Sequence, residues 1–205
     1  MFSLGGIVAS IILIAFGLGS IIIGAMGRSD VTQQIEQEKI TGSPDMSPKG
    51  IRPGIEEAKL DVEAPTCDVA DERIDSGSEA KCFAEYLRIH ALEGTGGRVY
   101  SQMGQFLTAS GEETSDAAKA AKDPKTDRPV PNAARNVWVT ATALSTALNT
   151  SYFAQQVALF SIVMGAALLL TGIGFLVLTL GGALGWVALP RRAKTKKLDT
   201  ASAAT

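Results

Sequence analysis

Two stretches without a single charge constrain this chain more than anything else in it. LGGIVASIILIAFGLGSIIIGAMG runs from Leu4 to Gly27, and no charged residue stands between Arg135 and Arg191. The strongly apolar part of the second stretch covers Val157 to Leu189. Crossing a bilayer takes roughly 20 apolar residues at 1.5 Å each, so both stretches qualify. A helix at the surface of a soluble core keeps a polar stripe, which neither stretch has. The expected fold is an all-α membrane protein: a two-helix transmembrane hairpin whose helices extend into a small extracytoplasmic helical cap containing long loops. Its parts are a first span at 1–27, a helical and loop region at 28–156, a second span at 157–189 and a basic tail at 190–205. The alternative for the first stretch is a cleaved signal peptide, but MFSLGG has no basic n-region and the apolar run exceeds the usual ~7–15 residues.

Orientation follows from the basic residues. Arg191, Arg192, Lys194, Lys196 and Lys197 crowd directly after the second span, whereas Arg28 stands alone after the first. Positive residues stay cytoplasmic and long loops translocate largely regardless of charge, so both termini are expected inside a plasma membrane. The basic tail suits the anionic lipids of an inner leaflet. The region between the spans holds 14 Lys and Arg against 20 Asp and Glu, which leaves no electrostatic footprint for nucleic acid.

That region is thin in large apolar residues and is interrupted by TGSPDMSPKGIRPG and SGEETSDAAKAAKDPKTDRPVPN, both read as loops or linkers. Three helical pieces fit the remainder. Residues 29–40 follow the first span without a breaker and set Val31 and Ile35 on one face. Residues 78–97 place Phe83, Tyr86, Leu87 and His90 at helical spacing, with Ser78 as N-cap and Gly94, Gly96 and Gly97 as the stop. Residues 133–156 repeat Val137, Ala141, Leu144, Leu148, Ser151 and Gln155 in steps of three and four, start after Pro131, and run on into the second span. Residues 99–107 add a turn or two, and no strand alternation is visible.

Cys67 and Cys82 are the only cysteines. On the oxidising side of a membrane such a pair is expected to form a structural disulfide, with free or intermolecular thiols as the alternative. A metal site wants four ligands at characteristic spacing, and redox chemistry usually uses Cys-x-x-Cys; neither pattern is present. No cofactor and no catalytic constellation is expected.

His90, the only histidine, is a candidate protonation switch, although a histidine on such a face is more often simply packed. EGTGGR at 93–98 reads as a helix C-cap rather than a phosphate loop. Within the spans there is no ionisable residue to mark a proton relay. Small residues at four-residue spacing, Ala15/Gly19, Ser20/Gly24 and Gly181/Gly185, are the candidate helix-packing faces.

The sequence QQIEQEKITGSPD after the first span, CFAEYLRIHALEGTGGRVYSQM further on and a helix feeding the second span resemble a group of uncharacterised two-pass membrane proteins from actinobacteria. Their shared pattern here is His90, Leu92, Thr95, Gly96, Gly97 and Tyr100. Some of those proteins bear the label "aromatic ring-opening dioxygenase LigA". Ring cleavage needs iron held by two histidines and a carboxylate, or by tyrosines and histidines, and one histidine builds neither set. The expectation is therefore a non-catalytic membrane protein acting through helix packing and an extracytoplasmic interaction cap, as an accessory subunit with a membrane-protein partner or as a homo-oligomer. The alternatives are a homo-oligomeric channel or mechanically sensitive element, with Thr171 and Thr179 as the polar pore positions, and an outward-facing sensor using His90.

Overall fold

A computed structural model describes residues 2–188, with side-chain surroundings over 4–182. Helix α1 spans Phe2–Gln37, α2 Arg52–Glu57, α3 Gly77–Gly94 and α4 Ala133–Ala188; a 3-10 turn covers Tyr100–Gln102 and a two-stranded ribbon joins β1 Phe106–Leu107 to β2 Glu113–Thr114. The chain divides into two compact units. One comprises the chain up to Ile21 and from Val163 onward, the other Ile22–Ile162.

In the first unit α1 and α4 pack against each other at glycines. A Cβ on Gly17 would stand 2.6 Å from the Leu169 backbone nitrogen and 2.8 Å from the Gly165 carbonyl oxygen; one on Gly165 would meet the Gly17 carbonyl oxygen at 2.7 Å. Gly172 lies equally close to Leu13 and Ile14, and Gly6 to Thr179, so the two segments run antiparallel. Ser10 is fully buried between them and donates to the Gly6 carbonyl at 2.8 Å, which keeps its hydroxyl satisfied. The outward faces carry Leu4, Ile11, Phe16, Leu170, Phe175 and Leu178, all exposed. Both helices are long and apolar enough to cross a membrane, and their most apolar windows are only 11% buried.

The second unit is organised by α3. Its inward face, with Ala80, Phe83, Ala84, Tyr86 and Ile89, packs on Ile35 of α1, Leu148 of α4 and the loop residues Met46, Ile51, Val69 and Ile74. A second cluster joins Ala91 and Leu92 to Met103, Trp138 and Ala141. The segments expected as loops or mobile linkers are loops for most of their length, tied by backbone hydrogen bonds. Gly42 donates to the Glu72 carbonyl at 2.9 Å, Val69 to Met46 at 3.0 Å and Ile74 to Ile40 at 3.0 Å. Gly42 has to be glycine, because a Cβ there would overlap the Val69 carbonyl oxygen. Farther on, Leu107 donates to the Val130 carbonyl and Ala121 to that of Leu107, which stitches the β1–β2 excursion to the approach of α4. Strands of two residues are too short to show alternation, so none was expected.

Three sequence expectations shift. The N-cap of α3 is Ser76 rather than Ser78: its hydroxyl accepts from the Glu79 amide, and the Glu79 carboxylate accepts from the Ser76 amide at 3.0 Å. This reciprocal box satisfies two groups where Ser78 could satisfy one. On α4 the core face is Trp138, Ala141, Leu148 and Gln155, while Val137 and Leu144 are 48% and 39% exposed. The large indole beside α3 sets that rotation. The start of α4 belongs to Asn132, which follows Pro131; its side chain accepts from the Ala134 amide at 3.1 Å and donates to the Gly104 carbonyl at 3.0 Å. Continuity of α4 into the apolar stretch is as expected, as are α3 over most of 78–97 and the helical run of α1 through Val31 and Ile35.

Candidate functional site

The expected disulfide is present: Cys67 and Cys82 are bonded, with Cα atoms 6.0 Å apart. Cys82 is buried in the first turns of α3. Cys67 arrives on an irregular segment with no helix of its own, and a second tether holds it there: the Tyr86 hydroxyl donates to the Cys67 carbonyl at 2.6 Å. Burial, aided by Asp68 and Glu85, pushes the Tyr86 phenol up, so it stays a donor throughout the physiological range.

One turn farther along, His90 Nε2 lies 2.9 Å from Asp45 Oδ2. The contact fastens the 41–50 loop to α3. The Ser43 hydroxyl, bonded to the other carboxylate oxygen, is the main cause holding Asp45 below its ordinary range; burial opposes it and His90 reinforces it.

The pattern His90, Leu92, Thr95, Gly96, Gly97 and Tyr100 resolves into a helix terminator. The Gly97 amide donates to the Leu92 carbonyl at 2.8 Å and the Gly96 amide to that of Glu93, the paired bonds of a Schellman turn. Gly96 takes φ +63° and Gly97 φ +75°, conformations that suit glycine. The Thr95 hydroxyl closes the turn on the Arg98 carbonyl at 2.7 Å. Arg98 then pairs with Glu113 at 2.9 Å, and Tyr100 receives the Arg135 guanidinium over its ring at 3.9 Å.

Four carboxyls in this unit sit below their ordinary values. For Glu113 the Gly104 amide is the main cause, followed by Arg98. For Glu79 burial is the largest single influence and acts upward, but the amides of Asp75 and Ser76 together with the Ser76 hydroxyl outweigh it. Asp45 is the third and Asp123, lowered chiefly by the Thr126 amide, the fourth. A depressed carboxyl contributes stability above its unfolded pKa, lost as pH falls through the lower folded value. The thermal midpoint of the unit is therefore expected to be flat from pH 7 to about 5 and to fall below about pH 4. Glu113→Gln should remove part of that acid slope. A midpoint unchanged down to about pH 2.5 would contradict the assignment.

α3 and α4 run antiparallel. Gly77 sits against the Tyr152 backbone and donates its amide to Gln155 Oε1 at 2.9 Å, a buried bond between residues 78 apart. The pair presents two flanks. One is apolar, a hollow lined by Leu87, Val137 and Leu144. The other carries the Arg88 guanidinium 5.5 Å over the Trp138 ring.

Of the small residues singled out in the sequence, Gly24 packs closely, with Ala158 and Ile162. Gly19 and Gly181 face open space, and Ala15 is exposed. Ser20 is half-buried. Gly185 and the basic residues Arg191, Arg192, Lys194, Lys196 and Lys197 lie outside the residues whose surroundings are described. The close positions missed in the sequence are Gly17, Gly165 and Gly172. The available signal was a period of seven rather than four: Ser10, Gly17 and Gly24 on α1, and Ala158, Gly165, Gly172 and Thr179 on α4. A seven-residue repeat keeps one seam facing a partner helix, as in coiled coils.

These features define a mostly helical protein in which two long apolar helices pack together, with a disulfide-bonded unit between them in sequence. No protein-family model, no curated protein and no solved structure matches this chain.

Proposed function

We propose that this is a non-catalytic, two-pass integral membrane protein whose Ile22–Ile162 unit is an extracytoplasmic module for binding another membrane protein, as an accessory subunit. Both termini lie in the cytoplasm, and the basic residues from Arg191 to Lys197 meet the anionic inner leaflet. The observation that carries the reading is the solvent-facing apolar flank of α3 and α4. Val137 and Leu144 are exposed beside Leu87, and the three line one apolar hollow. Apolar positions gathered in one hollow mark an interaction surface more often than scattered ones do. The membrane reading is supported by the length and apolarity of α1 and α4 and by their exposed faces. The disulfide suits an oxidising compartment. Catalysis finds no support in a chain with one histidine, which here bonds to a loop aspartate.

The test is purification of the tagged full-length protein in mild detergent from its native cells, alongside a Val137→Glu, Leu144→Glu variant. A membrane protein recovered in stoichiometric amount with the first and lost with the second is the expected result. A monomer without partner in both cases defeats the proposal, and a homo-oligomer moves the reading to a channel.

A further inference from the structure

Within the Ile22–Ile162 unit, α4 meets α1 along a regular track. A Cβ on Gly24 of α1 would stand 2.6 Å from the Ala158 carbonyl oxygen and 2.8 Å from the Ile162 side chain, and farther up Ile35 shares a buried cluster with Leu148. Counted back in sevens, Ala158 leads to Ser151, Leu144 and Val137, and Ile162 leads to Gln155, Leu148 and Ala141. Steps of seven along a packed helix keep to one face. Val137, Ala141 and Leu144 therefore belong to the side of α4 that α1 covers lower down.

α1 does not reach them. It ends at Gln37, the chain turns off through Lys39 at φ +52°, and the Ile40 carbonyl then accepts from the Ile74 amide. On this side α4 continues alone back to Ala133. The same side holds the hollow of about 450 Å³ lined by Leu87, Ala133, Asn136, Val137, Thr140 and Leu144, with Val137 and Leu144 still exposed. From Ala133 to Leu144 is about three helical turns, or about 16 Å. Among the described residues the lining includes polar Asn136 and Thr140 but no charge.

We propose that this hollow seats an α-helix of the partner membrane protein, lying along α4 where α1 leaves off. The inference rests on the partner reading above and deepens it by fixing what enters the surface. Three features select the occupant. A groove laid out in steps of three and four accepts side chains from a helix of the same period, whereas an extended segment, with period two, matches it only at isolated points. The uncharged lining calls for an apolar stripe on that helix and gives a charged segment no counter-ion. Lipid chains are too far away, because Leu144 is separated by about 20 Å of helix from Val157, where the strongly apolar stretch begins. The seated helix presents about three or four apolar side chains to the hollow, with uncharged donors or acceptors toward Asn136 and Thr140.

The experiment places the photo-crosslinker p-benzoylphenylalanine in the full-length protein at Val137, Thr140 or Leu144, one position at a time, and irradiates the native cells before purification. Val139 is the control. It is 47% exposed against 48% for Val137. Two residues are about 200° of helical turn, so it lies on the far side of α4. Adducts from Val137 and Leu144 to one protein are expected, several-fold above those from Val139, and peptide mapping should place the acceptor residues three, four or seven apart. Thr140 samples the same hollow if a bulky group at either of the other positions disturbs folding. Acceptor residues adjacent or two apart in one partner would overturn the helix and leave the partner standing. Adducts to a second copy of this chain, or to lipid, overturn it too. Equal labelling from Val139, or no adduct from any position in the hollow, does so as well; recovery of a partner in the detergent purification described above then separates loss of the helix from loss of the partner itself.

Discussion

Exchanging Cys67 and Cys82 together for serine is expected to destabilise the Ile22–Ile162 unit by about 3 kcal/mol. The bridge closes a sequence separation of 15, and the chain-entropy treatment gives that figure for a loop of this size. The folded side of the equilibrium loses little, because Cys82 is buried in α3 and Tyr86 still holds the Cys67 carbonyl. Most of the effect therefore acts on the unfolded chain. In a unit of this size the thermal midpoint should drop by about 10 °C. Reductant added to the wild-type protein should reproduce the shift, and should do nothing further to the serine variant. A double-serine protein that melts with the wild type would show that the bridge constrains nothing that the core does not already constrain.

The second large effect lies at Gly17. A methyl group there would meet backbone on the facing helix at 2.6 and 2.8 Å, and backbone cannot rotate away as a side chain can. Gly17→Val should force α1 and α4 apart in the first unit. Overpacking of this kind costs about 1–3 kcal/mol and sometimes more. Gly19→Val is the matched control, since nothing stands within 4 Å of a Cβ at Gly19. The readout is the temperature at which each detergent-solubilised variant loses its monodisperse elution peak. Gly17→Val should fall well below wild type and Gly19→Val should match it. Equal behaviour of the two variants would refute the seam.

The contrast between these two glycines shows what was readable in the sequence and what was not. Apolarity over a span is a sum along the chain, so α1 and the later part of α4 were legible without any partner. The limits of α3 were legible for a similar reason: serine, glutamate, the apolar face and the glycine run are local signals. The disulfide needed only a pair and a compartment. Which side of an apolar helix meets its partner is different, because on a helix that is apolar all round every face satisfies the same count. Gly17 and Gly19 differ only in what the other helix places opposite them. Rotation of α4 was misjudged for a related reason. Val137 and Leu144 look like core by hydropathy, yet Trp138 fills the space beside α3 and turns them outward. The loops are the third case. Composition marks 41–66 as polar, but Met46, Ile51 and Ile55 anchor it through contacts with residues far along the chain.

The buried bond from Gly77 to Gln155 bears on the order in which the molecule comes together. The chain emerges from its N-terminus, so the 67–82 loop and α3 exist before any of α4 has been made. Loop 67–82 can close and oxidise early, because its ends are near neighbours. The seat for α3, made of Trp138, Leu148 and Gln155, arrives last. At the usual ~5–20 residues per second the interval is several seconds, during which the apolar face of α3 has only α1 and its own loops to cover it. Early cross-linking limits the wrong pairings open to the chain in that interval. The staple thus acts as a timing device as well as a brace, and its loss should tell most on the yield of newly made protein.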